Sequence, residues 1–199
     1  VIILHHLKSV VTSVIHFDWQ LIVLTMGLSY LIGSVSTGVI VARIVGLPDP
    51  RQTGSKNPGA TNVLRLGNKK AAAITLAGDL LKGFIPVLLV GLIANAQTAY
   101  AAMSAAAIGA FVGHLLPIFF RFQGGKGVAT AAGAMLALTP LIGLATIALW
   151  VFIAYTTRIS SLAAIFSAIA ASALATLFAA PELAFIISVI ALILILRHF

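Results

Sequence analysis

Between residues 128 and 157 not one charged side chain occurs, and nothing else in the sequence restricts its fold as strongly. A water-exposed helix of that length would need a polar face. A hydrocarbon core of about 30 Å, by contrast, is crossed by roughly 20 apolar helical residues whose backbone groups are satisfied within the segment. The pattern recurs: residues 21–45 carry one charge, Arg43, and residues 100–120 carry none of Asp, Glu, Lys or Arg. Charged residues make up 8% of the chain, against about a quarter in soluble domains, which excludes soluble enzymes, disordered tails and collagen-like chains. The absence of cysteine removes disulfide frameworks, thiol catalysis and thiolate metal sites, and leaves the redox compartment open. With no His-Glu-x-x-His pattern and no carboxylate cluster, neither a metal site nor a cofactor is expected.

The expected fold class is therefore an all-α integral membrane protein with seven transmembrane helices, one of them short. Residues 1–20 mix charge and apolar side chains without a small-residue cleavage site; they read as an N-terminal arm, interfacial or disordered, before a single transmembrane domain over 21–199. Spans are expected over 21–45, 71–95, 100–120, 128–138, 141–155, 162–179 and 183–196. Thr139-Pro140 interrupts the uncharged run, and charge distribution decides between one kinked helix and two. With two, Arg51, Arg65, Lys69, Lys70, Arg121, Lys126, Arg158 and Arg197 all fall on one side, as the positive-inside rule prefers. The N-terminus is then outside, the C-terminus inside, and the polar loops lie on the cytoplasmic face. The net charge of +8 points in such a chain to anionic lipid headgroups of the bilayer rather than to nucleic acid. At about 16 Å, the 128–138 helix cannot cross a full core alone and must be shielded by neighbours.

Two loops carry an anion-binding inventory. In the first, Gly54 and Gly59 permit inward-turned N–H groups, Ser55, Asn57, Thr61 and Asn62 add side-chain donors, and Arg65 offers a two-pronged contact for phosphate. Its spacing is not that of a Walker A loop. The second sets Lys126 among Gly124, Gly125 and Gly127, ahead of Thr130 and at the start of the short helix, where N–H groups also favour an anion. Two anion sites on one face suggest two phosphates. His114 reads equally as a proton carrier or phosphate donor and as a structural hydrogen bonder. Asp79 and Lys82, three apart inside a span, are expected to pair. Ser160 and Ser161 read as helix caps at least as readily as site hydroxyls, and Arg197 and His198 as membrane-surface anchors.

These residues, taken together, resemble the bacterial acyl-phosphate glycerol-3-phosphate acyltransferase family. The likeness runs through Gly33-Ser34, Gly54-Ser-Lys-Asn-Pro-Gly-Ala-Thr-Asn62 with Arg65, Asp79-Leu-Leu-Lys-Gly83, Gly113-His114 with Pro117, Gly124-Gly-Lys-Gly-Val-Ala-Thr130, the Arg158/Ser161-Leu162 turn and Arg197-His198. Family members usually carry glycine where this chain has Lys56. The resemblance implies an enzyme of the bacterial cytoplasmic membrane that transfers an acyl group from an acyl phosphate to the 1-hydroxyl of glycerol 3-phosphate, giving lysophosphatidate and inorganic phosphate. It implies that Ser55, Asn57, Asn62 and Arg65 hold phosphate, that Lys126 with its glycines binds the second phosphate, and that His198 shapes the site; Ser55, Arg65, Lys126 and His198 become the expected catalytic residues, with His114 and Ser161 among the substrate contacts. An acyl phosphate is already activated, so cationic donors are needed more than a covalent nucleophile, and the substrate's own phosphate, with a second pKa near 6, can take the hydroxyl proton, His114 and His198 being the competing bases. The runner-up is a small secondary transporter for a phosphorylated substrate, because short or broken helices also build transporter sites.

Overall fold

The computed structural model describes residues 19–198; the expected N-terminal arm lies outside them except for its last two residues, which already belong to the first helix. The described residues form α1 (19–33), α2 (Thr37–Ile44), α3 (Ala60–Arg65), α4 (Lys69–Ile93), α5 (Ala99–Leu115), a 3-10 turn (Ile118–Phe120), α6 (Val128–Leu138), α7 (Pro140–Thr157), α8 (Ser160–Phe178) and α9 (Pro181–Leu196). There is no strand among them. Five segments are long and apolar enough to cross a membrane: Trp19–Ile44, Lys69–Ile93, Ala99–Phe120, Pro140–Thr157 and Ser160–Phe178; α6 and α9 are shorter apolar helices. Leu92, Ile93, Leu141, Phe178 and Phe185 are each more than two-thirds exposed, a surface that lipid satisfies and water does not.

The expected first span is not one continuous helix. Residues 34–36 break it: Ser34 Oγ donates to the Tyr30 carbonyl at 2.8 Å, competing with the helical ladder. The freed Val35 carbonyl accepts from the Lys82 ammonium at 2.8 Å. A break inside an apolar span thus supplies an acceptor to a buried cation.

The short helix α6 sits against α4, α5, α7 and α9, the shielding its length requires. Its contact with α4 is backbone to backbone: a Cβ on Gly83 would strike the Thr130 carbonyl, and one on Gly133 the Leu80 carbonyl, so glycine on both helices permits the approach. At Thr139 the chain folds back. Residues seven apart in a continuous helix are separated by about 10 Å, yet a Cβ on Gly143 would lie 2.7 Å from the Leu136 Cα; Pro140 opens α7, so two helices, not one kinked helix, occupy the uncharged run. The main core lies where α4, α5, α6, α8 and α9 meet, around Val87, Phe111, Met135, Ile187 and Ile190. Alanines 106, 107, 164, 168 and 171 supply much of its wall, the small-residue packing that apolar solvent favours.

Candidate active site

The first loop is organised by three side chains. Asp49 and Arg51 pair at 2.6 Å; the guanidinium holds the Asp49 carboxyl below its usual range, and the carboxylate raises Arg51 in turn. Arg51 also donates to the Phe120 carbonyl at 3.4 Å and lies 5.8 Å from the Phe120 ring centroid, fastening the first loop to the second. Asn62 is 2% exposed. Its Nδ2 donates to the Pro50 and Thr53 carbonyls at 2.8 and 3.0 Å, and its Oδ1 accepts the Ser55 N–H at 3.0 Å. Both ends of this amide are spent on the loop's own backbone, so Asn62 shapes the loop in place of the free phosphate donor expected from sequence. Gly54 has φ +59, and a Cβ there would collide with Asn62 Oδ1. Lys56 also lies in the left-handed region at φ +55. Asn57 uses Oδ1 to accept the Gly59 N–H at 3.2 Å. Thr61, Asn62 and Arg65 are carried on α3, a helix within what reads in sequence as loop.

The second loop is held from two directions. Gly125 N–H donates to the His114 carbonyl at 3.1 Å, and the Gly125 carbonyl accepts from Arg197 Nη2 at 3.3 Å. A Cβ on Gly125 would meet His114 Nε2 and would lie 3.1 Å from Asn57 Oδ1, so the loops approach through a position that only glycine fills. Arg197 is therefore a tether of the second loop.

Behind the loops lies a polar network at the α4–α5–α6 junction. Lys82 Nζ is 2.8 Å from Asp79 Oδ1, the expected pair, and His114 Nδ1 is 3.7 Å from the same oxygen. Thr130 Oγ1 and His114 Nδ1 are 3.1 Å apart. Thr130 is fully buried, so it buttresses His114 instead of touching a ligand.

One cavity of about 380 Å³ joins these parts. Its polar end is lined by Ser55, Asn57, Gly59, Thr61, Asn62, Arg65, Asp79, His114, Lys126, Gly127, Ser160, Ser161 and His198, and its apolar end by Met135, Ile147, Trp150, Val151, Ala164, Ala168 and others from α6, α7 and α8. Of the residues expected from sequence, Gly54, Gly124, Gly125 and Thr130 are absent from the lining; they set the shape of what lines it. Ser160 and Ser161 are not caps. Ile159 occupies the N-cap position without a side-chain cap bond, its N–H donates to Thr157 Oγ1 at 3.2 Å, and both serines face the cavity lining. His198 Nδ1 donates to the Leu194 carbonyl at 2.7 Å, which leaves Nε2 as the free lone pair of the neutral ring. Burial, assisted by Lys126, pushes its pKa below the ordinary 6.5 against the opposing pull of the Leu194 carbonyl.

Sequence reasoning left Ser160 open between helix cap and site hydroxyl, and missed the Arg51 and Arg197 tethers and Trp150 and Ser167 in the apolar end. Ser160, Ala164, Ser167 and Ala171 repeat at helical spacing, a small-residue stripe that reads as packing until the cavity beside it is seen.

The chain is similar to proteins of known activity in sequence and in fold. The family model described as Glycerol-3-phosphate acyltransferase matches residues 23–199. A glycerol-3-phosphate acyltransferase of Paraburkholderia phymatum is 54% identical over 172 residues, covering 85% of this chain and 82% of that protein; one of Burkholderia cenocepacia is 50% identical over 181 residues, covering 89% and 84%. The crystal structure of PlsY, an integral membrane glycerol 3-phosphate acyltransferase, in its glycerol 3-phosphate form has a TM-score of 0.81 at 34% identity, over 89% of this chain and 88% of that one. Its lysophosphatidic acid form gives 0.79 at 32% identity. The chain belongs to the glycerol-3-phosphate acyltransferase family and is an acyltransferase.

Proposed function

We propose that the chain transfers the acyl group of an acyl phosphate to the 1-hydroxyl of glycerol 3-phosphate. The hydroxyl oxygen bonds to the acyl carbonyl carbon, the bond from that carbon to the phosphate oxygen breaks, and the hydroxyl proton leaves on the released phosphate, giving lysophosphatidate and inorganic phosphate. The observation that carries this is the two-ended cavity: cations and hydroxyls from both glycine loops, the α8 start and the C-terminal turn at one end, and apolar side chains leading away at the other. Two phosphates and a hydrocarbon chain are the ligands such a cavity fits.

In this scheme Arg65 with Ser55, Asn57 and Thr61 holds one phosphate, and Lys126 with its glycines and Ser161 holds the other. Their positive charge stabilises the oxyanion and the leaving phosphate, the dominant electrostatic contribution in reactions of this kind. His198 and His114 orient substrate, and substrate phosphate accepts the proton. The site opens to the cytoplasmic face of the bacterial inner membrane, with seven crossings, the N-terminus outside and the C-terminus inside. The collection of the polar loops, the α7–α8 turn and His198 around one cavity end supports that topology. It also favours an enzyme over the transporter alternative, whose site belongs near the midplane.

The test is to supply the purified chain in detergent with palmitoyl phosphate and glycerol 3-phosphate. Lysophosphatidate and phosphate should appear in equal amounts, and palmitoyl-CoA should not replace the donor. Product formed only from the thioester would overturn the donor assignment; vesicle uptake of glycerol 3-phosphate without turnover would favour the transporter.

A further inference from the structure

Asp49 and Arg51 are absent from the cavity lining, yet they join the two loops that supply its polar end. Asp49 Oδ1 accepts the Arg51 backbone N–H at 2.9 Å and Nε at 3.0 Å, and Oδ2 accepts Nη2 at 2.6 Å. Thr53 Oγ1 donates to the Asp49 carbonyl at 2.9 Å, so the carboxylate is itself tied into the first loop. A guanidinium gripped along one edge has a fixed plane. Its remaining nitrogen, Nη1, donates to the Phe120 carbonyl, and the group lies over the Phe120 ring.

Phe120 leads into a strained turn. Arg121 and Phe122 both lie in the left-handed region, at φ +57 and +59, where a side chain is disfavoured. Such residues persist where their surroundings over-determine them. Phe122 N–H donates to the Pro117 carbonyl at 2.9 Å and Gln123 N–H to the Phe120 carbonyl at 3.1 Å, so the Phe120 carbonyl takes one donor from its own turn and one from the first loop. Gly124, Gly125 and Lys126 follow directly. The other fasteners of the second loop come from α5, through the His114 carbonyl, and from the end of α9, through Arg197. Among the described residues, Arg51 is the one whose hydrogen bond ties the start of that loop to the first.

Acyl transfer between two phosphorylated substrates succeeds only when the hydroxyl and the acyl carbon are held at near-attack distance, and therefore when their phosphates sit at one separation. Resting on the two-phosphate reading above, we infer that Asp49 and Arg51 are positioning residues that fix the spacing between the phosphate site of the first loop and that of the second, touching neither substrate.

Alkane α,ω-bisphosphonates measure that spacing, because a ligand bridging two sites gains affinity only when its length matches the span. In calorimetric titrations of the full chain in detergent, one spacer should bind about tenfold more tightly than spacers two methylenes shorter or longer. Arg51→Met should level that series to within about threefold while inorganic phosphate binds within about threefold of its affinity for the unaltered chain. Loss of stability alone does not change a length preference in the protein that remains folded. Turnover of palmitoyl phosphate and glycerol 3-phosphate by Arg51→Met should fall by about tenfold or more in kcat, the scale on which misplacement of reacting groups acts. Asp49→Asn keeps the side-chain shape but gives up the charge that grips Arg51, and it should level the series in the same direction. No spacer preference in the unaltered chain, or a preference that persists in either folded variant, overturns the inference even where acyl phosphate is turned over. A preference that depends on Arg51 in a chain that does not react acyl phosphate supports the spacing role and overturns the donor assignment instead.

Discussion

Lys56 sits at φ +55 in the first glycine loop, where a Cβ costs about 1 kcal/mol or more relative to glycine. Lys56→Gly is therefore expected to raise the thermal midpoint by about 2 °C in a chain of this size, and an unchanged or lower midpoint would show that the lysine is held by contacts worth as much. His198 is kept neutral by burial. Because its folded pKa is depressed, the unfolded chain takes up this proton first; the associated stability is complete above about pH 6.5 and declines as pH falls below it. If substrate phosphate takes the proton, His114→Gln/His198→Gln retains turnover within about a hundredfold, whereas a loss near 10⁴-fold with substrate binding intact is the signature of a histidine base. Residue type and spacing were enough to single out Ser55, Asn57, Arg65 and Lys126, all of which line the cavity. They were not enough to separate lining donors that remain free from the amide of Asn62, which is spent on the loop backbone, because composition does not reveal which hydrogen bonds a side chain has already made.

Helices were legible wherever apolar length or proline set their limits. The 128–138 helix and the reversal at Thr139-Pro140 follow from charge distribution and proline chemistry, while the break at 34–36 does not, since Ser34-Val-Ser carries neither proline nor charge. Its reason lies 47 residues away in sequence, in the ammonium of Lys82 that needs the Val35 carbonyl. That dependence is measurable. Lys82→Met leaves Asp79 buried and unpaired and should cost about 3–5 kcal/mol, whereas Asp79→Asn with Lys82→Met should recover at least half of it; equal losses in thermal stability for the single and double variants would contradict a coupled pair. Gly133→Ala should cost about 1–3 kcal/mol by pushing α6 off the Leu80 carbonyl.

At the scale of the molecule, α-helical membrane architecture was readable from the uncharged runs alone, and the family from its motifs. The meeting of segments separated by more than a hundred residues around one cavity was not, because no local pattern encodes it. The proposed topology is open to direct labelling, since the chain has no cysteine of its own: in intact spheroplasts Glu182→Cys should react with a membrane-impermeant maleimide, and Lys69→Cys only after permeabilisation. The reverse pattern would invert the orientation. The central claim, that the two glycine loops form one phosphate-binding reaction site, rests most directly on the initial rate of lysophosphatidate formation by Arg65→Ala and Lys126→Ala. Each folded variant is predicted to lose about a hundredfold or more in kcat/KM, the usual scale for removing one charge-stabilising donor, and rates within about twofold of the unaltered chain in both would contradict it.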